Sequence, residues 1–95
     1  VIVLTASGLD EGAVLRCCMR LRQAMDQALR GSEAQIFGPA PAAVAKVNNR
    51  YRYRCLLVGK NDRPTREAVS WLLKAFANDR ANRGMNLFVD CNSME

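Results

Sequence analysis

Arg50-Tyr51-Arg52-Tyr53-Arg54-Cys55-Leu56-Leu57-Val58 reads as a strand with two unlike faces. Side chains alternate across an extended backbone, so Arg50, Arg52 and Arg54 share one side and Tyr51, Tyr53, Cys55 and Leu57 the other. Same-side arginines stand roughly 6.7 Å apart at ~3.3 Å per residue, a comb of planar donors suited to phosphates or carboxylates. The apolar side argues for a layer of helices packed against it.

Upstream lies Gly38-Pro39-Ala40-Pro41-Ala42. The prolines hold φ near about −65° and remove two backbone donors, so they are expected to end a short strand over Glu33–Phe37 and lead the chain out of the sheet. Ala42–Val47 is expected to form one helical turn. Asn48-Asn49 is a turn pair tolerant of left-handed backbone. Further back, Val1–Ala6 is β-branched enough for a central strand. Asp10 can cap a helix whose apolar stripe is Val14, Cys17, Cys18, Leu21, Met25 and Ala28, with Arg16, Arg20, Gln23, Gln27 and Arg30 opposite and Gly31 at its end.

Downstream, Gly59–Asp62 is a turn with Asn61 or Asp62 as N-cap and Pro64 in the first helical turn. Val69, Leu72, Leu73 and Phe76 form the stripe of a second helix, with Trp71 on its other side. Beyond Gly84, Met85, Leu87, Val89 and Cys91 alternate against Asn86, Phe88 and Asp90 as a half-buried strand. The order is β-α-β-β-α-β, an α+β fold. Its expected form is a four-stranded sheet with two helices on one face, the middle strands joined by a long connection and the other face left to a partner.

The 95 residues carry a net charge of +5 and a pI near 9.4, and lysine supplies only three of the fourteen basic side chains, at 46, 60 and 74. That balance favours nucleic acid, acidic peptides or an acidic protein surface as partner. Residues 1–95 are expected to form a single domain, excised from something longer because the chain starts at Val1 inside an apolar run. There is no run of about 18 apolar residues and no signal-peptide pattern. The four cysteines, at 17, 18, 55 and 91, lack the spacing of a zinc knuckle, and the chain has no histidine. They read as buried thiols in a reducing cytoplasm. No nucleophile–base pair stands out either, so no catalytic residue is assigned.

Gly38-Pro39-Ala40-Pro41-Ala42, Lys46-Val47-Asn48-Asn49-Arg50-Tyr51-Arg52-Tyr53-Arg54, Leu56-Leu57 and Leu87-Phe88-Val89-Asp90-Cys91-Asn92 together resemble the C-terminal domain of the PriA helicases, the bacterial primosomal proteins N′. The resemblance runs the length of the chain and is strongest from Phe37 to Leu57. Family members commonly end in Asp-x-(Asp/Asn)-Pro, whereas Asp90-Cys91-Asn92-Ser93 keeps the acid without the proline.

The resemblance implies a ferredoxin-like, ribosomal S10-like domain at the end of an ATP-driven 3′→5′ helicase that restarts stalled replication forks in the bacterial cytoplasm, associated with the nucleoid. It implies binding of forked or single-stranded DNA and of the acidic tail of the single-stranded DNA-binding protein, together with contact to the helicase lobes of the parent. ATP, magnesium and zinc are expected upstream and no cofactor in this piece. The family's tail-contacting arginine starts the second helix, where Arg63 is the nearest match.

Lys46, Arg50, Arg52 and Arg54 are thus the candidate nucleic-acid contacts, against the plainer reading of a solvated face. Arg63, Arg66 and Trp71 are the candidate partner contacts, against outward charges and a harmless surface ring. Tyr51 and Tyr53 lie opposite the arginines, which weakens a base-stacking role for them. Two other functions share this element order. An acylphosphatase-like enzyme would want an arginine near Ser7-Gly8-Leu9-Asp10, where none stands; an RNA-binding, ribosome-associated module would read the 2′-hydroxyl.

Overall fold

A computed structural model describes residues 2–59 and 63–91, with the backbone alone at 43–45, 47 and 91. Four strands and two helices follow in the expected order: β1 (Ile2–Gly8), α1 (Glu11–Ala28), β2 (Gln35–Val47), β3 (Arg50–Val58), α2 (Arg63–Asn78) and, after a 3₁₀ turn at Arg80–Asn82, β4 (Asn86–Cys91). The sheet order is β2-β3-β1-β4, with every neighbouring pair antiparallel.

Both helices cover one face. Val14, Cys17, Cys18, Leu21 and Met25 of α1 and Val69 and Leu72 of α2 share a core with Ile2, Leu4 and Ala6 of β1 and Cys55 and Leu57 of β3. Leu73 and Phe76 pack partly against it. The Asp10 carboxylate caps α1, accepting from the N–H groups of Gly12 at 3.0 Å and Ala13 at 3.4 Å. Ala28 is exposed, and Leu29 takes its place in the core because the helix ends there. Gly31 is left-handed at φ 87. The expected caps of α2, Asn61 and Asp62, lie outside the described residues, as does Val1. The radius of gyration is 12.6 Å.

The second strand departs from expectation. Pro39 and Pro41 do not end it; β2 runs from Gln35 to Val47, and no helical turn forms over Ala42–Val47. An edge strand uses only one side of its backbone for pairing, so a residue without an N–H is tolerated there. The irregular stretches are absorbed as register shifts between Phe37 and Ala40 and between Pro41 and Lys46. Gly38 makes the first shift possible: φ is +102, and a Cβ there would stand 2.7 Å from the Arg54 carbonyl oxygen. The connection to β3 is not long but a two-residue turn, Asn48-Asn49, with φ values of 52 and 64. Positive φ at both positions matches the right-handed twist of a hairpin, and asparagine accepts that conformation.

Candidate nucleic-acid interface

The strand pairings lay out the face that the helices leave uncovered. Cys55 and Leu57 are buried under α1, so Arg52, Arg54 and Leu56 must point the other way. Across the sheet, Arg54 pairs with Thr5 and Thr5 with Phe88; Arg52 pairs with Ser7 and Ser7 with Asn86; Leu56 pairs with Val3 and Val3 with Asp90. On the outer side Phe37 stands beside Leu56. Val3, Thr5 and Ser7 are buried although no helix lies over them, because the longer side chains of β3 and β4 flank them on both sides. The result is a floor of small residues walled by guanidinium groups and rings.

The candidate residues divide. Arg52 and Arg54 are half-buried on this face, and among the described residues neither makes an ion pair. Arg50 is engaged: its Nε donates to Ser7 Oγ, and its Nη2 to the Ser7 and Gly84 carbonyls, each at 3.1 Å. Lys46 pairs with Tyr51, which puts it on Tyr51's side of the sheet, its Nζ 5.0 Å from the ring centroid. It therefore sits apart from the arginine row.

The tyrosines face the helices. Tyr53 packs against the core, and its hydroxyl donates to Glu11 Oε2 at 2.8 Å. That bond holds the phenol above its ordinary pKa. Two exposed rings stand on the arginine side instead: Phe88 is 54% exposed and Phe37 48%. The alternation Asn86, Phe88, Asp90 already separated Phe88 from the apolar side of β4. Phe37 was hidden because the strand was expected to end at it.

The partner candidates lie on the helix layer. Arg63 opens α2 and pairs with Glu67 at 3.4 Å; both are so exposed that the bond contributes little. Arg66 is exposed nearby. Trp71, 61% exposed, lines an apolar groove of about 150 Å³ between α1 and α2 with Leu21, Ala24, Leu72 and Phe76. At its rim Arg20 Nη2 donates to Asn82 Oδ1 at 2.9 Å.

Cys17, Cys18 and Cys55 are buried thiols of the core. Among the described residues no group of three or more His, Cys, Asp or Glu could hold a metal ion. No helix among them is long and apolar enough to cross a membrane.

A family model described as the primosomal protein N C-terminal domain matches residues 1–94. No curated protein matches the chain.

Proposed function

The chain belongs to the primosomal protein N C-terminal domain family, and from that premise we propose that it binds DNA through the open face of its sheet. Membership gives it a role in the primosome and in DNA replication. The finer reading is the C-terminal, non-catalytic domain of an ATP-dependent 3′→5′ helicase that restarts stalled forks, with residues 1–95 as the domain. ATP, magnesium and zinc then belong to the rest of the parent, whose helicase lobes are a further contact surface. Its setting would be the bacterial cytoplasm, at the nucleoid.

The observation that carries the reading is the pair Arg52 and Arg54, on the face opposite the helices and without a carboxylate partner among the described residues. A half-buried guanidinium without a counter-charge is best satisfied by an anion brought from outside, and DNA supplies one per nucleotide. Arg50 holds the strand ends in place and adds its remaining N–H groups at the edge of the same row. Lys46 would contribute only to DNA that wraps around the hairpin end.

Binding of forked, single-stranded and duplex DNA, with RNA as competitor, across a salt series tests this. Affinity should fall with salt and DNA should compete at least as well as RNA of equal length. Salt-independent binding, or none, would overturn the reading.

A second reading rests on the groove beside Trp71. An apolar slot with Arg20 of α1 at its rim, and with Arg63 and Arg66 on the helix that carries Trp71, suits the acidic tail of the single-stranded DNA-binding protein. Quenching of Trp71 emission by an acidic peptide, with binding of the same peptide by calorimetry lost in Trp71→Ala, is the expected result.

A further inference from the structure

Arg54 stands between two exposed rings, with Arg52 one pleat to its side, away from Phe37. In the row that crosses the sheet through Thr5, Phe88 lies two strands from Arg54, roughly 10 Å at the usual spacing. Phe37 lies one strand away on the other side, a pleat further along, beside Leu56. Both rings are about half exposed, and no helix covers them. Asp90 is the acidic residue among the described strand positions of this face. It is set one pleat along β4 from Phe88, in the row of Val3 and Leu56, away from the rows of both arginines.

Resting on the DNA-binding reading above, we propose that this face takes unpaired nucleotides, with a base stacked on Phe88 and another on Phe37 while Arg54 holds a phosphate between them and Arg52 a neighbouring one. The chemistry of the walls selects the ligand. Arginines alone would serve any phosphate backbone, duplex included. Exposed rings beside them have use only for bases whose π-faces are free, and those of a duplex are stacked inside it. The rings stand roughly 16 Å apart, three strand spacings across and one pleat along. That separation leaves room for a phosphate over Arg54, with Arg52 one pleat to its side. Stacking does not depend on which base is present, so little sequence preference is expected.

The test compares the chain's affinity for an oligothymidylate with that for an abasic strand of the same length and charge. The base-bearing strand should bind tighter by about tenfold. Phe88→Ala should remove most of that difference and leave the salt slope unchanged; Phe88→Trp should restore it. Phe88 is exposed enough for both variants to fold, which circular dichroism would check. Equal binding of the two strands by the unaltered chain, with normal salt dependence, would sink the stacking proposal and leave the phosphate reading intact. A difference that survives both Phe88→Ala and Phe37→Ala would also overturn it. Binding to neither strand would remove both readings and favour a protein occupant for the face.

Discussion

Arg50 reaches from β3 to the end of β1, where its Nε donates to Ser7 Oγ and its Nη2 to the Ser7 carbonyl, both at 3.1 Å. The same Nη2 donates to the carbonyl of Gly84, just before β4. One guanidinium therefore ties three segments together at the edge of the open face, in a role unlike that of Arg52 and Arg54 two and four residues on.

Arg50→Ala should accordingly show itself in stability first. Losing three charge-assisted bonds from a half-buried donor is expected to cost about 1–3 kcal/mol. Arg50→Lys should recover little of it, because an ammonium cannot reproduce the fork. Denaturant unfolding of the two variants checks this, and a loss below about 0.5 kcal/mol would contradict the tie.

Tyr53 gives the structure an alkaline weak point. Its hydroxyl donates to Glu11, and that bond raises its pKa above the ordinary tyrosine value. A group whose pKa is raised on folding stabilises the fold below its unfolded pKa, about 10, and loses that contribution as pH rises through the folded value. Stability should therefore decline at alkaline pH, and Glu11→Gln should move the ionisation of Tyr53 back down. Phenolate absorbance in a Tyr51→Phe background measures the shift.

The core thiols should be inert. Burial raises the Cys17 thiol, and Cys18 is raised by its hydrogen bond with Cys55 and by burial. The Cys18 thiol also donates to the Tyr53 carbonyl at 3.4 Å. Cys55 is lowered by its hydrogen bond with Cys18, but it is as fully buried as the other two, and a thiol kept out of solvent does not alkylate. Mass-spectrometric mapping should find Cys17, Cys18 and Cys55 labelled by iodoacetamide only after denaturant is added. Labelling in the native state would contradict the packing of α1 on the sheet.

Gly38→Ala should damage the hairpin. The new methyl would meet the Arg54 carbonyl and the backbone would be left at φ +102, at a cost of about 1–3 kcal/mol or more. Arg22 would also lose a well-placed acceptor, since its Nη1 donates to the Gly38 carbonyl. Because Arg54 is held by the strand that Gly38 crosses, DNA affinity should fall along with the melting temperature.

Much of this was legible in the residues. The alternation of Tyr51–Leu57 and the three- and four-residue spacing of α1 are local patterns, and they assign faces without knowledge of distant partners. The prolines of β2 were a different matter. Whether a missing N–H ends a strand depends on which side of the backbone pairs, and that follows only from β2 lying at the sheet edge. The same holds at the site. Arg50, Arg52 and Arg54 are equivalent by alternation, and only the meeting of the end of β1 with the turn at Gly84 makes the first a tether. Phe88 was correctly separated from Leu87 and Val89. Its place beside the arginines depends on β4 pairing with β1 in a particular register. Lys46 belonged with the arginines by proximity in sequence, and the irregular register of β2 carried it to the Tyr51 side.

The most direct test of the account is the salt dependence of single-stranded DNA binding by Arg52→Ala/Arg54→Ala. Each phosphate contact contributes about −0.7 to the slope of log K against log salt concentration for a single strand. The double variant should bind more weakly with a slope shallower by about 1.4, while its unfolding curve stays close to that of the unaltered chain. An unchanged affinity and slope would mean that these two guanidinium groups serve some other partner.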